Sequence, residues 1–455
     1  MQAWTGIFLG TGPNRERSNL VWNMIGSFLY AFASMVLSFL VLRIIGEEQG
    51  GIFSFGYSTF GQQMFILAYF GIRPFQVTDG AGQFSFGDYL RHRVVTCLLA
   101  VVASVLYLTR IGYSPEKVRI LLLLAVYKIL DGFIDVWESE FQRAGHLHLT
   151  GKSCAFRTVC SVGSFLLMLV LTRNLTAACL CAVTVQALAF LILDLPCALV
   201  LPGIRFPGSL RKAPALTAQT ALLFVSVFLD FYIFSAAKYA VDAHMNDAAN
   251  GYFNVIFMPT SVINLAAGFV IRPVLTGLTE CRMGGHMREF GRKLGRISGL
   301  ILALSALALA LATGLGVWAL GIMEKLLGEN YAGKLTLYHS AFCLIVAGGA
   351  CYALLNLYYY VLVILRRQSV IFVIYLLMTG VAACLAPRMV ETGGIPGAAQ
   401  VYLILMLLMT AAFVGCGLVG IRQEAVRTCG RKQERREGMS LQENGEEIHD
   451  RQSRR

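Results

Sequence analysis

Residues 51–74 read GIFSFGYSTFGQQMFILAYFGIRP, and a similar stretch, GYFNVIFMPTSVINLAAGFVIRP, returns at residues 251–273. Both begin with glycine ahead of an apolar, aromatic run, and both end in Ile-Arg-Pro. The opening glycines lie 200 positions apart and the closing prolines 199. A basic connector follows each stretch, at 89–93 and at 290–293. Because the shift is nearly constant, we predict an internal parallel repeat, in which two halves of the chain fold alike and share one orientation in a membrane.

The composition agrees with a membrane location. The 455 residues are 56% hydrophobic and 14% charged, whereas soluble proteins carry about 25% charged residues. The mean hydropathy is +0.65. Apolar runs near the ~20 residues that a helix needs to cross a bilayer lie at 20–44, 51–72, 94–110, 118–138, 156–172, 176–200, 216–240, 252–271, 297–320, 335–365, 369–390 and 397–421. We therefore predict an all-α integral membrane protein of about twelve transmembrane helices, arranged as two six-helix lobes.

The same runs predict the domain organisation. An N-terminal cytoplasmic segment covers 1–19, an N-lobe 20–200 and a C-lobe 216–421, with a cytoplasmic linker over 201–215 between the lobes. Residues 422–455 are charged and have no apolar periodicity, so we predict a disordered cytoplasmic tail.

Basic residues predict the orientation. When the connections are assigned to alternate sides, 28 of the 38 Lys and Arg residues fall on one side and 9 on the other, with Lys128 inside a span. The side richer in Lys and Arg is cytoplasmic by the positive-inside rule, so both termini are expected in the cytoplasm of a multi-pass protein. The net charge of +12 lies in connections and in the tail, and we expect no nucleic-acid partner.

The sequence disfavours enzymatic chemistry. The connections are too short to hold a soluble catalytic domain, so we predict that the chain is not an enzyme. Most of the twelve cysteines lie inside apolar runs, and no Cys-x-x-Cys pair has a histidine partner. We interpret them as small packing residues and expect no metal site and no cofactor.

The fourth run has a polar stripe. Its members follow one another at steps of 3, 4, 3 and 4, which places them within about 80° of one helix face. They are Lys128, Asp131, Asp135, Glu138 and Gln142. Lys128 and Asp131 can pair along the helix. Two interpretations remain open: a proton or cation relay, or a buried polar seam that holds the helix against a neighbour.

Other polar groups also suggest a site between the lobes. Asp230 and Lys238 lie eight residues apart on the seventh run, although Lys238 can alternatively snorkel to the nearby outer interface. Arg73 and Arg272, equivalent in the repeat, lie at cytoplasmic helix ends, where they could bind pyrophosphate or serve only as topology signals. Further candidates, for a groove that accepts sugar hydroxyls, are Asn23, Tyr57, Gln62, Gln63 and Asn254.

The chain resembles the polysaccharide flippases (Wzx-type) of the multidrug/oligosaccharidyl-lipid/polysaccharide exporter superfamily. The resemblance covers most of residues 18–421 through loose patterns. These are Leu42-Arg43-Ile44-Ile45-Gly46, Gly50-Gly51-Ile52-Phe53, Phe70-Gly71-Ile72-Arg73-Pro74-Phe75-Gln76, Glu138-Ser139-Glu140-Phe141-Gln142-Arg143-Ala144-Gly145, Lys238-Tyr239-Ala240-Val241-Asp242 and the stretch from Tyr252 to Thr276.

The resemblance implies a V-shaped, two-lobed, MATE-like transporter of a bacterial inner membrane. It would move an undecaprenyl-pyrophosphate-linked oligosaccharide from the cytoplasmic to the outer leaflet by alternating access. The residues expected to bind the pyrophosphate are Arg43, Arg73, Lys238 and Arg272. The related lipid II flippases have two further spans that form a groove for the lipid tail, and this chain lacks them.

A second transport hypothesis is a MATE-like, cation-coupled drug antiporter, in which the acids of the fourth and seventh runs bind the coupling ion. The expected partners of a flippase are membrane lipid, the polyprenyl-pyrophosphate-linked oligosaccharide, a coupling proton or sodium ion, and polysaccharide polymerases and glycosyltransferases.

Overall fold

A computed structural model describes residues 8–10, 14–79, 82–201, 204, 206 and 208–453, and the side chains of residues 210, 272 and 428–453 lie outside this description. The described residues form helices and turns, with no strand among them. The helices are α1 (Arg15–Ile45), α2 (Glu47–Phe55), α3 (Gly61–Tyr69), α4 (Ile72–Thr78), α5 (Phe86–Ile111), α6 (Pro115–Arg143), α7 (Leu147–Thr172), α8 (Leu175–Ile192), α9 (Asp194–Val200), α10 (Ala213–His244), α11 (Asp247–Met283), α12 (Met287–Leu327), α13 (His339–Ile364) and α14 (Gln368–Ser453). A π-helical turn at Gly56–Phe60 joins α2 to α3, and 3₁₀ turns lie at Leu210–Lys212, Glu329–Tyr331 and Thr336–Tyr338.

Each predicted span has a helical counterpart. Among the described residues, nine helices are long and apolar enough to cross a bilayer. The predicted second span corresponds to α2, the π turn and α3 in succession, and the fourth to α6, which carries the polar stripe. The eleventh and twelfth spans are the two arms of α14, which Gly394 separates with a φ of +56°. The chain is therefore a multi-pass, all-helical membrane protein.

Local sequence explains where several helices begin and bend. Ser85 caps α5, and Asp88 completes a reciprocal capping box with it. Ser114 caps α6 ahead of Pro115 at the first helical position. A left-handed Gly394 is accommodated because glycine has no Cβ to oppose a positive φ, and it allows the turn between the arms of α14.

The two glycines that open the repeated stretches lie against each other. A Cβ added to Gly251 would lie 3.5 Å from the Cα of Gly51. A Cβ added to Gly51 would lie 3.2 Å from the backbone nitrogen of Gly251 and would overlap the carbonyl oxygen of Asp247. Beyond this contact, Ser58 donates a hydrogen bond of 3.0 Å to Asn254. The repeat that the sequence predicts thus brings its equivalent residues into direct contact.

The chain divides into two compact units. The first contains Met1–Met258, Leu315–Phe342 and Thr379–Tyr402, and the second contains Pro259–Gly314, Cys343–Met378 and Leu403–Arg455. This grouping by compactness does not follow the predicted lobes, which stay a prediction.

Two predicted segments fall partly outside the description. The linker over 201–215 includes residues 202, 203, 205 and 207, and the disordered tail over 422–455 includes the undescribed side chains from 428 onward. The described backbone of residues 422–453 is helical, as the end of α14, whereas the sequence predicts disorder there.

Candidate functional site

The acidic face of α6 meets arginines from three other helices of the first unit. Asp135 accepts one hydrogen bond of 2.7 Å from Arg73 of α4 and one of 3.1 Å from Arg93 of α5. Arg93 is fully buried and also donates to the carbonyl oxygen of Ala68 at 2.9 Å. Asp135 thus has two charge-assisted partners, one sealed from solvent and one at the edge.

A third arginine, Arg157, pairs with the acids one helical turn before and one turn after Asp135 on α6. Arg157 of α7 pairs with Asp131 at 3.2 Å and also with Glu138. Its Nε atom lies 3.9 Å from the carboxylate of Asp194, which is fully buried and accepts a hydrogen bond of 2.5 Å from Ser153. A single guanidinium therefore faces three carboxylates.

Lys128 does not pair with Asp131 as the helix spacing predicted. Its ammonium donates to the Tyr30 hydroxyl at 3.0 Å and lies 3.9 Å from the ring centroid of Tyr57. Tyr30 in turn donates to Asp131 at 3.2 Å, so the tyrosine of α1 bridges the two groups. The lysine is stabilised by the negative faces of aromatic rings as well as by the hydroxyl.

We call these groups the arginine–carboxylate cluster, and its members are Lys128, Asp131, Asp135, Glu138, Asp194, Arg73, Arg93 and Arg157. Its four carboxylates face three arginines and one lysine, so positive and negative groups are equal in number. An uncompensated buried charge costs several kcal/mol, and paired charges in good geometry avoid most of that cost. The arrangement holds α4, α5, α6 and α7 together, which is what the polar-seam interpretation predicts.

Arg73 is the cluster member that reaches solvent. Its side chain is 27% exposed, and besides Asp135 it donates to Gln142 at 3.0 Å and lies 3.8 Å from Glu138. Phe70, left-handed at φ +50°, ends α3 before the turn into α4 and sets the direction from which Arg73 enters. A phosphate that bound Arg73 would have to compete with the Asp135 carboxylate.

The remaining cationic candidates differ from one another. Lys238 of α10 is buried, with 7% exposure, and its ammonium lies 4.3 Å from the ring centroid of Phe257. It makes no ion pair or hydrogen bond with a described residue, and its burial disfavours the alternative in which the side chain snorkels to the interface. Arg43 is exposed at the end of α1. The side chain of Arg272 lies outside the described part of the chain.

The candidate sugar-binding residues are distributed among different neighbours. Tyr57 bonds to Ser34 at 3.0 Å beside Lys128, and Asn254 accepts from Ser58. Gln63 donates to the carbonyl oxygen of Phe228 at 3.1 Å. Asn23 and Gln62 are half-buried, and so is Asp230, which is a candidate for the coupling ion and not for the sugar.

An aromatic cavity of about 420 Å³ lies beside Gln63 within the first unit. Helices α3, α5, α10 and the first arm of α14 form it. Its aromatic side chains are Phe60, Tyr107, Phe228, Tyr232 and Tyr239. Phe60 stacks on Tyr107 with ring centroids 5.1 Å apart, and Tyr107 meets Tyr239 edge to face at 6.2 Å. Large, mostly apolar cavities with a few polar groups are the usual form of small-molecule sites.

A second ion cluster lies at the predicted outer ends of the helices. Lys117, near the start of α6, pairs with Asp242 at 2.8 Å and with Asp247 at 2.6 Å. Asp242 also accepts from Tyr113 and, at 2.8 Å, from Asn250. We call these five residues the outer ion cluster, and they join α6 to the turn between α10 and α11.

Sequence reasoning found the acids of α6 but missed several of their partners. The positive-inside count includes Arg93 and Arg157 among the 28 cations of the cytoplasmic side and Lys117 among the 9 of the outer side, so none of the three is a predicted partner of the acids. The signal that could have found them is that a helix can begin before its apolar run, as α5 and α7 do. A cation near the start of such a helix therefore still packs against the neighbouring helices. The described residues contain no group of three or more His, Cys, Asp or Glu residues that could hold a metal ion.

The fold is that of transporters in the multidrug/oligosaccharidyl-lipid/polysaccharide exporter superfamily. An inward-facing multidrug-resistance MATE transporter of this superfamily superposes with a TM-score of 0.64 at 12% identity, over 91% of this chain and 99% of that one. The lipid II flippase MurJ, in an inward closed conformation, gives a TM-score of 0.64 at 12% identity over 90% and 91%. The Vibrio cholerae MATE transporter VcmN gives 0.57 at 11% over 93% and 99%. No protein-family model and no curated protein sequence matches the chain.

Proposed function

We propose that this protein is a flippase that moves a polyprenyl-pyrophosphate-linked oligosaccharide from the cytoplasmic to the outer leaflet of a bacterial cell membrane, without covalent chemistry. The fold is compatible with this function and equally with drug export, because both kinds of transporter share it. The choice between them therefore rests on the charges inside the protein.

Lys238 is the observation on which the proposal rests. The arginine–carboxylate cluster is balanced, whereas Lys238 is buried and makes no ion pair with a described residue. A buried ammonium without a carboxylate is stabilised when an anion arrives, because the anion replaces the hydration that burial removed. A pyrophosphate supplies such an anion, and a cationic drug does not.

Arg73 offers a second contact for the same cargo. Its exposed guanidinium pairs with Asp135, and the fully buried Arg93 also neutralises that carboxylate. Arg73 can therefore turn toward a phosphate without leaving Asp135 unpaired. The predicted equivalent in the other half is Arg272, and Arg43 remains a further candidate near the outer end.

The proposal is tested in vesicles that contain the purified protein and a fluorescent polyprenyl-pyrophosphate-linked sugar. Lys238→Gln should slow transfer between leaflets at least about tenfold, a loss of about 1.4 kcal/mol in transition-state or binding free energy. The control is Lys325→Gln, which removes the same charge from an exposed residue. Equal transfer by Lys238→Gln and the parent would contradict the proposal.

A cation-coupled drug antiporter is the second candidate, and the aromatic cavity favours it. A cluster of aromatic rings with one carboxamide suits an apolar cation, through contacts with the ring faces. Here Asp230 would bind the coupling ion. Loss of drug resistance in Tyr239→Ala and Asp230→Asn cells, with unchanged surface polysaccharide, would favour export over flipping.

The flippase proposal includes several expectations about its surroundings. Both termini lie in the cytoplasm, a proton or sodium ion drives the cycle, and polysaccharide polymerases and glycosyltransferases act on the same cargo before and after it. Labelling of tags at the two termini from either side of the membrane tests the orientation.

A further inference from the structure

A basic groove lies at the start of α12 in the second unit, and it shares no residue with the sites described above. Its volume is about 870 Å³. Its lining includes His286, Arg288, Glu289, Arg292, Lys293 and Arg296, with Ala425 and Val426 of α14 on the opposite wall. Four cationic side chains thus face a single carboxylate.

The charge in the groove is largely uncompensated. Glu289 pairs with Lys293 at 3.0 Å, and Lys293 also lies 3.4 Å from the Cys281 sulfur. Arg288, Arg292 and Arg296 make no ion pair with a described residue, and all three are exposed. Topology signals need only be present on one side of the membrane, whereas these arginines converge on one concavity.

The corresponding connector of the first half uses its cations differently. Arg93 is buried against Asp135, and His92 bonds to Thr217 at 2.8 Å. The basic connectors at 89–93 and 290–293 therefore look alike in sequence but not in structure. In the first connector Arg93 is engaged in an internal ion pair and only Arg91 is exposed, whereas in the second Arg292 is exposed and lines the groove with the nearby Arg288 and Arg296.

The face of α12 that carries the arginines continues as an apolar surface. At 100° per residue, Leu300 and Leu307 lie within about 40° of Arg296 around the helix. Leu300 is 49% exposed and Leu307 is 56% exposed. An amphiphile bound here would place an anionic head on the arginines and an acyl chain along the leucines. A soluble anion would use only the first part of this surface.

From this continuity we infer that the basic groove binds the phosphate headgroup of an anionic phospholipid of the predicted cytoplasmic leaflet. Basic pockets beside transmembrane helices on that side are suited to such headgroups. The three arginines span eight residues, or about 12 Å along the helix, so a headgroup with two phosphates engages more of them than a headgroup with one. The inference does not depend on the cargo of the transporter.

Native mass spectrometry of the purified full chain tests the inference, with diphosphatidylglycerol, phosphatidylglycerol and phosphatidylcholine as probes. The triple variant Arg288→Gln, Arg292→Gln, Arg296→Gln should lose at least about tenfold in affinity for diphosphatidylglycerol, given a contribution from each basic residue near the surface. Binding of phosphatidylcholine should not change.

A charge-matched control separates a site from a general charge effect. Arg110, Arg119 and Arg388 are exposed arginines at the predicted outer ends, and their triple replacement by Gln should leave affinity within about twofold of the parent. Equal losses in the two triple variants would overturn the inference. A melting curve of each variant in detergent shows whether it is folded, and Arg292→Gln alone, with a smaller loss in the same direction, serves if the triple variant is not.

Inorganic pyrophosphate distinguishes the two sources of phosphate. It lacks a chain to lie on the leucines, so it should bind far more weakly than diphosphatidylglycerol. If it binds as tightly, and the triple variant abolishes that binding, the groove is a site for a soluble anion and the lipid assignment is wrong.

Discussion

Arg93 is the residue whose removal should damage the protein most. It is fully buried between Asp135 and the carbonyl oxygen of Ala68. Arg93→Met leaves Asp135 with only the solvent-edge Arg73, and we expect a loss of about 3–5 kcal/mol in stability, as for one partner removed from a buried ion pair. Thermal unfolding in detergent measures it.

The control for Arg93→Met also removes the negative charge of Asp135, which that substitution leaves without its buried partner. The double variant Arg93→Met, Asp135→Asn should recover part of the lost melting temperature, because no uncompensated carboxylate remains. A double variant less stable than Arg93→Met alone would show that Arg93 acts mainly through packing.

Asp79 should make the stability of its turn depend on pH. Burial alone would raise the pKa of the Asp79 carboxyl, but backbone hydrogen bonds from Phe84 and Gln83, the Tyr89 hydroxyl and the Arg143 charge together hold it below the usual value. A depressed pKa in the folded state stabilises the protein above the pKa of the unfolded chain, and this contribution disappears as pH falls through the folded value. The melting temperature of Asp79→Asn should therefore lie below that of the parent at pH 7, with the gap closing toward pH 3.

At the scale of single residues, the sequence predicts where acids lie but not what neutralises them. The steps of 3 and 4 along α6 give a shared face for Asp131, Asp135 and Glu138 because helix geometry is local. Their partners Arg93 and Arg157 come from other helices, and no local pattern relates residues 42 and 26 positions away. Pairing across helices depends on tertiary packing, so it became visible only in the structure.

At the scale of elements, the close approach of α2 and α11 requires glycine. Gly51→Ala would drive a methyl group into the Asp247 carbonyl, and we expect a loss of about 1–3 kcal/mol from overpacking. Gly268→Ala on α11 is the matched control, because nothing lies within 4 Å of its Cβ position and alanine favours helix over glycine. Unfolding of both variants in detergent checks the difference, and equal stability would contradict the assigned contact.

The ends of the apolar runs predict the ends of most helices, but the runs do not show where a helix breaks or bends inside them. Hydropathy predicted a single sixth span over 176–200, whereas the chain breaks between α8 and α9 at Leu193, with the buried Asp194 opening α9. The π turn at Gly56–Phe60 was also not predicted. The break at Leu193 and the π turn both depend on how a helix packs against neighbouring helices. Neither alters the apolar composition of its segment, so hydropathy does not reveal them.

At the scale of the whole molecule, the outer ion cluster should control access from outside. Replacing Lys117 with Met removes the only cation that holds Asp242 and Asp247 within this cluster. We expect faster labelling, by an impermeant maleimide applied outside, of a single cysteine placed at Ala240 in the aromatic cavity of an otherwise cysteine-free chain. Lys325→Met, which changes an exposed lysine, should leave the labelling rate unchanged, and equal rates in all three proteins would contradict a role in closure.

The architecture of the molecule was the most predictable property. The helical, multi-pass architecture follows from run length, since a bilayer fixes the length of a spanning helix, and the repeat is predicted from the nearly constant spacing. The cargo does not follow from these features. A MATE transporter and the lipid II flippase both superpose on this chain, so the fold does not select the cargo, and the proposal depends on interior charges such as Lys238.

The meeting of Gly51 with Gly251 bears on the ancestry of the chain. Residues related by a repeat touch each other only near the axis that relates the halves. In an unfused ancestor of half this length, the same contact would have joined one glycine to its own copy in a second, parallel subunit, as in any symmetric dimer. Every substitution there would have acted twice. In a single chain the two positions can be substituted one at a time, so each side of the glycine contact can be tested separately.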